Sequence, residues 1–233
     1  MSLDVLFVNP GNHKRIYQDL SKDYSAIETP TWALLLAESC RSVGYDVAIL
    51  DTCAERLTDE QSVERVKEAD PRLICFVVYG QNPNSGTVNM SGTTAMASAI
   101  KKAGIEIPIA VVGSHVQALP YETLSKEQDI DIAFTNEGVY ALRNLLKQEN
   151  LTDVQTLEKV NGIGFRKDGK VMLTTPEKIV PQARMDIDLP GYAWDLLPYK
   201  EKPLDLYRAP MWHAEYIEDN RSPYAALYTS LGC

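Results

Sequence analysis

Three short segments of the chain combine glycines with small polar residues of the kind that line ligand sites. They are Asn9-Pro10-Gly11-Asn12-His13, then Tyr79-Gly80-Gln81-Asn82-Pro83-Asn84-Ser85-Gly86-Thr87, and Gly113-Ser114-His115. Amide, hydroxyl and imidazole groups form directed hydrogen bonds, and glycine lets the backbone approach a ligand closely. The segments therefore predict a site for a polar small molecule. Plain turn formation is the alternative for any one segment taken alone.

Each segment follows a short, nearly continuous apolar run. The apolar runs are Val5–Val8, Val47–Leu50, Leu73–Val78, Ile107–Val112 and Ile130–Phe134. Such runs are typical of parallel strands that are buried on both faces, and amphipathic helical patterns lie between them. The alternation predicts an α/β fold with a doubly wound, five-stranded parallel sheet of flavodoxin-like order 2-1-3-4-5. The polar segments then follow strands 1, 3 and 4 at one sheet edge, with Glu137-Gly138 at the rim after strand 5.

The pattern changes after residue 148, which divides the chain into three predicted parts. Residues 1–148 form the α/β domain, and residues 149–223 form a hairpin and a proline-rich linker. The hairpin is predicted from Ile163-Gly164-Phe165-Arg166 and Lys170-Val171-Met172-Leu173 around a glycine-containing turn. Residues 224–233 predict a strand with no partner of its own, which we interpret as the start of a further domain.

Composition argues against several classes of function. The 233 residues carry 23 Lys and Arg against 32 Asp and Glu, a net charge of −9, with no basic cluster for nucleic-acid phosphates. No apolar run has the length of a membrane span, and no signal peptide precedes Val5, so we expect a cytoplasmic protein. The Gly-x-Gly-x-x-Gly, P-loop and Gly-x-Ser-x-Gly patterns are absent from the sequence.

Two residue types have competing interpretations. Asp51 ends the second strand, where it is either a ribose ligand or, as we favour, a strand-end carboxylate or cap near Thr52. His13 and His115 lie in predicted ligand loops, where they are either ligand contacts or solvated loop residues. The three histidines have no metal-ligand spacing.

Five motifs, in order along the chain, resemble those of one enzyme family. They are Val5–Pro10, Gly113-Ser114-His115 with Ala118-Leu119-Pro120, Thr135-Asn136-Glu137-Gly138, Pro190–Pro198, and Tyr228-Thr229-Ser230-Leu231-Gly232-Cys233. The second is similar to a Gly-Gly-x-His-x-x-x-x-Pro segment in which Ser114 replaces the second glycine. Together they resemble the N-terminal cobalamin-binding domain of B12-dependent radical SAM enzymes.

The resemblance implies a cobalamin ligand and names its contacts. The implied cofactor-binding residues are Asn9, Pro10, Gly11, Gly80, Gln81, Asn82, Ser85, Gly86, Thr87, Gly113, Ser114, His115, Glu137 and Gly138. An Asp-x-His-x-x-Gly motif is absent after strand 1, and the family resemblance implies that no histidine ligates cobalt. No residue of this chain is expected to be catalytic.

Further implications concern a longer protein. Cys233 resembles the first cysteine of a Cys-x-x-x-Cys-x-x-Cys set, which holds a [4Fe–4S] cluster that binds S-adenosylmethionine. Both of these cofactors are expected only in a full-length protein whose radical SAM barrel is missing here, so this chain alone is expected to be inactive. The complete enzyme would perform methyl transfer, rearrangement or cyclisation at an unactivated carbon.

Two alternatives stay open from the sequence. The first is a non-catalytic sensor module that binds cobalamin, another tetrapyrrole or a nucleotide. The second is a degenerate domain that keeps the fold and binds no cofactor. The substitution at Ser114 and the missing cobalt-ligand motif are the observations that favour the second alternative.

Overall fold

The computed structural model describes residues 3–11, 26–79, 83–198, 206–208 and 224–228. They build a single sheet of seven strands in the order β2-β1-β3-β4-β5-β6-β7. The strands are β1 Val5–Asn9, β2 Val47–Asp51, β3 Leu73–Val78, β4 Ile109–Gly113, β5 Ile132–Phe134, β6 Ile163–Lys167 and β7 Lys170–Leu173. The first five are parallel, and β6 and β7 are antiparallel to their neighbours.

The predicted fold class is confirmed, with an addition at one edge. All five parallel strands are present in the order 2-1-3-4-5, although β4 and β5 begin two residues later than predicted, at Ile109 and Ile132. The hairpin, which we predicted as a separate appendage, pairs with β5 and extends the sheet. Its turn places Asp168 and Gly169 at φ 50° and 74°, the left-handed geometry that suits the twist of a two-residue hairpin.

The helices connect the strands and cover both faces of the sheet. They are α1 Thr31–Arg41, α2 Asp59–Ala69, α3 Pro83–Lys102, α4 Ser114–Ala118, α5 Pro120–Lys126, α6 Val139–Leu146, α7 Val154–Leu157 and α8 Met185–Asp188. Thr58 is the N-cap of α2, where it forms a capping box with Gln61. Within the described ranges, no helix is both long enough and apolar enough to cross a membrane.

Alternate residues of the parallel strands face two separate cores. In β1, Val5 and Phe7 pack with α1 and α6, whereas Leu6 and Val8 pack with α2 and α3. This alternation explains why the strands have continuous apolar sequences, since both faces are covered by helices. Buried residues beyond the predicted boundary at 148, including Leu151 and Phe165, belong to the same core as α1 and α6.

An ionic cluster in which Asp188 and Arg143 are buried attaches the segment after the hairpin to α1 and α6. Its members are Asp188, Arg143, Arg184 and Tyr140, which we call the Asp188 clamp. Arg143 Nη1 lies 3.0 Å from Asp188 Oδ1, and Tyr140 donates its hydroxyl to Asp188 Oδ2 at 2.6 Å. The Arg143 guanidinium also donates to the Ser39 carbonyl of α1 at 2.7 Å. The neighbouring guanidinium groups hold the pKa of Asp188 well below its ordinary range.

Candidate functional site

The predicted ligand loops lie where β1, β3, β4 and β5 end, and we call this the carboxyl edge. At β1, the Asn9 side chain donates to Asp51 Oδ1 at 2.8 Å. The Gly11 amide donates to Thr52 Oγ1 at 2.7 Å, and that hydroxyl donates to the Asn9 carbonyl at 2.9 Å. Asn9 and Gly11 are therefore engaged in joining β1 to β2 at the carboxyl edge.

Asp51 is almost completely buried at the end of β2. Its Oδ1 also accepts from the Ala54 amide at 3.0 Å, and its Oδ2 accepts from the Tyr207 hydroxyl at 2.8 Å. The favoured interpretation of Asp51 as a strand-end cap is confirmed by the bond to Ala54. Because burial disfavours the charged carboxylate, the pKa of Asp51 rises to about 6.

The raised pKa of Asp51 predicts a specific pH dependence of stability. A carboxyl with a pKa of about 6 in the folded chain and about 3.9 in the unfolded chain binds its proton more tightly when folded. Its contribution is therefore complete below pH 4 and is lost as the pH rises through 6, by about 2–3 kcal/mol in total, of which about half is lost between pH 5 and pH 7. Asp51→Asn should remove this component of the pH dependence, as measured by urea unfolding at pH 5 and pH 7.

The control for that experiment is Asp46→Asn, which changes an exposed aspartate just before the same strand. The other ionisable groups are shared by the wild type and both variants, so the difference in pH dependence isolates Asp51. If Asp51→Asn has the same change in unfolding free energy between pH 5 and pH 7 as the wild type, the assigned pKa is wrong.

The loops after β3 and β4 approach each other with almost no space between them. A methyl group at Gly113 would lie 2.2 Å from the Val78 carbonyl oxygen, and one at Gly86 would lie 2.1 Å from Ser114 Oγ. The start of α3 and the start of α4 are thus in contact across the ends of two neighbouring strands. Ser114, the residue that departs from the family motif, is accommodated because residue 86 has no side chain.

His115 is held beside this contact by a hydroxyl from the facing helix. Its Nδ1 lies 3.1 Å from Thr87 Oγ1, and the Thr87 side chain is exposed. The structure therefore brings together Gly86, Thr87, Gly113, Ser114 and His115. The predicted site residues Gly80, Gln81, Asn82 and Cys233, and also His13, lie outside the described residues, as does the side chain of Ser85.

The rim after β5 forms hydrogen bonds through both the side chain and the backbone of Glu137. The Glu137 carboxylate accepts from the Val180 amide, and burial raises the pKa of this half-buried group. The Glu137 carbonyl accepts from Trp32 Nε1 at 3.0 Å. Gly138 adopts φ 88° at the start of α6, with its amide donating to Asn136 Oδ1 at 2.9 Å. Glu137 thereby links the rim to α1 on one side and to the linker on the other.

An aromatic cluster at the carboxyl edge was not predicted from the sequence. The Trp32 ring lies 5.3 Å from Tyr79 and 6.1 Å from Tyr228, measured between ring centroids. The Tyr79 hydroxyl accepts a hydrogen bond from Gln117 Nε2 of α4. The position of Tyr79 directly after β3 was a usable signal for this residue, but no sequence pattern indicates that Trp32 or Tyr228 would join it.

The segment 224–228 packs over the start of α1 and supplies Tyr228. The Thr31 hydroxyl donates to the Ala226 carbonyl at 3.0 Å, and the Ala226 amide donates to Thr29 Oγ1 at 3.0 Å. The Tyr228 amide donates to the Tyr192 hydroxyl at 3.2 Å. The strand predicted from residue 224 is wrong for residues 224–228, because their hydrogen bonds go to Thr29, Thr31 and Tyr192 and not to a neighbouring strand.

The described side chains of the carboxyl edge are mostly uncharged hydrogen-bonding groups. Among these residues, no group of three His, Cys, Asp or Glu side chains is placed to hold a metal. The carboxyl edge instead offers hydroxyl, imidazole and carboxamide groups beside closely packed glycines. Such an arrangement can orient a large ligand through many directed hydrogen bonds.

Comparison with known proteins identifies a family whose model matches the chain and a curated protein to which it is similar. The model of the B12 binding domain matches residues 21–146. The anaerobic magnesium-protoporphyrin IX monomethyl ester cyclase of Synechocystis sp. is 27% identical over 199 residues. That alignment covers 84% of this chain and 36% of the relative, so the chain spans about a third of the cyclase's length.

Solved structures that share the fold include those of the enzymes TsrM and OxsB. The radical S-adenosylmethionine methyltransferase TsrM from Kitasatospora setae, determined with cobalamin and a [4Fe–4S] cluster bound, has a TM-score of 0.53 and 15% identity over 78% of this chain and 30% of its own. The cobalamin-dependent S-adenosylmethionine radical enzyme OxsB has a TM-score of 0.55 and 17% identity over 84% of this chain and 24% of its own. At these identities the likeness concerns the fold alone.

Proposed function

The chain belongs to the B12 binding domain family, and from this membership we propose that it binds cobalamin at the carboxyl edge. The observation that carries the proposal is that the loops after β3, β4 and β5 all fall inside the matched residues 21–146 and meet at one edge of the sheet. In open α/β sheets, ligands bind outside the carboxyl ends of the strands at the point where the strand order reverses. That point lies between β1 and β3.

The side chains present agree with the chemistry of this ligand. The ring of cobalamin carries neutral amide groups, which pair with hydroxyl, imidazole and carboxamide side chains. Thr87, Ser114 and His115 supply such groups beside the close contact of α3 with α4. The glycines at 86 and 113 add no side chains of their own to that contact, so that backbone amides can lie near the ligand.

The residues proposed to hold cobalamin are those of the four loops. Thr87, Ser114 and His115 donate or accept at the ligand, whereas Gly86, Gly113, Glu137 and Gly138 shape the edge. Asn9, Pro10 and Gly11 shape it from the β1 side, since Asn9 and Gly11 are hydrogen-bonded to β2. Gly80, Gln81, Asn82 and Ser85 complete the proposed site.

We further propose that this domain serves a B12-dependent radical SAM enzyme. Residues 1–148 would hold cobalamin, residues 149–223 would connect the domains, and residues 224–233 would begin the barrel, with Cys233 as the first cluster ligand. Bound cobalamin supplies a cobalt centre that exchanges a carbon group or electrons with a substrate. The contribution of this chain is to bind that cofactor, orient it and exclude water from one of its faces.

Titration with hydroxocobalamin tests the proposed function directly. The purified chain should change the visible spectrum of hydroxocobalamin and quench tryptophan fluorescence, with half-saturation below about 50 µM, which corresponds to about −6 kcal/mol or tighter. Thermally unfolded chain is the matched control and should produce neither change. Parallel titrations with haemin and ADP test the other tetrapyrrole and nucleotide ligands. A folded chain that leaves the hydroxocobalamin spectrum unchanged at 50 µM contradicts the proposal.

A further inference from the structure

Tyr79 is the first residue after β3, and the packing of its ring fixes the direction of its hydroxyl. The ring lies at 51° to the Trp32 ring with 5.3 Å between centroids. Trp32 is itself fixed, because its Nε1 donates to the Glu137 carbonyl at 3.0 Å and its ring contacts Tyr228. The Tyr79 carbonyl accepts from Asn89 of α3 at 3.3 Å. Both the ring and the backbone carbonyl of Tyr79 are therefore held at the carboxyl edge.

The Tyr79 hydroxyl has a donor capacity that the described residues do not use. Gln117 Nε2 donates to its oxygen, and within the described ranges this is the hydroxyl's one hydrogen bond. A phenol both donates and accepts, so its hydrogen remains available for a further partner. Tyr79 is partly exposed at the carboxyl edge, so this hydrogen can be donated to an acceptor on a bound molecule.

The surroundings of Tyr79 select the kind of acceptor. Burial and the nearby Glu137 carboxyl raise the pKa of Tyr79, so the phenol keeps its proton throughout the physiological range. The same carboxyl, when charged, repels an anionic acceptor such as a phosphate. A neutral carbonyl oxygen is the acceptor that this environment favours.

We propose that the Tyr79 hydroxyl donates a hydrogen bond to a side-chain amide carbonyl of the corrin ring, with Gln117 holding the hydroxyl in place. The inference rests on the proposed function and adds to it a residue outside the motifs of the resemblance. Tyr79 is thus a ligand-binding residue, and Gln117 acts through it as a positioning residue.

The test is hydroxocobalamin titration of Tyr79→Phe, which keeps the ring and removes the hydroxyl. The expected result is about tenfold weaker binding, the effect of one well-placed hydrogen bond. Tyr121→Phe, on the exposed side of α5, is the matched control and should bind like the wild type. Thermal melting of both variants verifies that the fold is retained.

A second ligand distinguishes the ring amides from the nucleotide tail. Cobinamide keeps the ring amides and lacks the nucleotide tail with its phosphate. Tyr79→Phe should therefore weaken the binding of cobinamide by the same factor as the binding of hydroxocobalamin. A loss seen with hydroxocobalamin but not with cobinamide overturns the assignment to a ring amide. If Tyr79→Phe binds hydroxocobalamin with a Kd within twofold of the wild-type value, the inference is overturned altogether.

A double-mutant cycle tests the positioning role of Gln117. Gln117→Ala should weaken binding in the wild type by about threefold and have no further effect in the Tyr79→Phe background. Additive losses overturn the assignment of Gln117 as a residue that acts through Tyr79. If the wild-type chain itself does not bind hydroxocobalamin, the proposed function fails, and the wild-type titration alone reveals that outcome.

Discussion

Asp188→Ala is expected to lower the free energy of unfolding by about 3–5 kcal/mol, because it leaves the buried Arg143 guanidinium without its charged partner. The two side chains are 6% and 9% exposed, and Arg143 Nη1 lies 3.0 Å from Asp188 Oδ1. Tyr140 loses the acceptor of its hydroxyl at the same time. Urea unfolding at pH 7 measures the loss, since the lowered pKa of Asp188 means that its contribution is complete above about pH 4 and declines as the pH falls below that value.

Asp195→Ala is the matched control for this measurement. Asp195 pairs with Arg41 on the surface, where its side chain is 62% exposed. An exposed pair of this kind contributes about 0–1 kcal/mol. The double variant Asp188→Leu with Arg143→Met removes both buried charges and should recover part of the stability. Equal losses for Asp188→Ala and Asp195→Ala would show that the Asp188 clamp does not stabilise the fold as described.

Gly113→Ala is expected to destabilise the chain by about 3 kcal/mol and to weaken hydroxocobalamin binding. The added methyl would lie 2.2 Å from the Val78 carbonyl oxygen and 2.8 Å from its carbon, and both atoms are backbone. Gly113 pairs with Val78 where β3 and β4 end, so the two strands must separate at the proposed site. Thermal melting and titration of the same preparation measure both effects.

The control places a methyl group at Gly86, beside the same Val78 carbonyl. In the double variant Gly86→Ala with Ser114→Ala, the nearest remaining atoms are the Val78 carbonyl oxygen at 3.2 Å and the His115 amide nitrogen at 3.4 Å. These distances require shifts of only a few tenths of an ångström, and alanine favours the helix that contains residue 86. If the double variant melts at a temperature well below that of Gly113→Ala, the close contact of Gly113 with the Val78 carbonyl does not set the stability of this edge.

The sheet and the loops of its carboxyl edge could be predicted from the sequence because each depends on local patterns. A parallel strand covered on both faces must be apolar at successive positions, and the runs Val5–Val8 and Leu73–Val78 meet that condition. The polar residues after each run then necessarily lie at one edge. The prediction of Gly113, Ser114 and His115 at that edge is confirmed by the structure, while their binding role stays a prediction.

The remaining features depend on contacts between distant residues that no local pattern encodes. Trp32 donates to a carbonyl 105 positions away, and Arg143 meets Asp188 across 45 positions. The hairpin was predicted from its turn, but its pairing with β5 depends on an open strand edge. The Arg166 guanidinium, which donates to the Leu124 and Ile130 carbonyls at 2.7 Å, also fixes the hairpin against that edge.

Long-range hydrogen bonds connect residues 206–208 and 224–228, which we call the C-terminal tail, to the α/β domain, and they have a consequence for the order of folding. Thr31 contacts Ala226 across 195 positions, and Tyr207 reaches Asp51 across 156 positions. Closing loops of this length is slow compared with forming the neighbouring strand and helix contacts. During synthesis the sheet can therefore assemble while the tail is still being made. The Asp51 carboxyl would then first accept hydrogen bonds from Asn9 and Ala54, and the hydrogen bond from Tyr207 would form later.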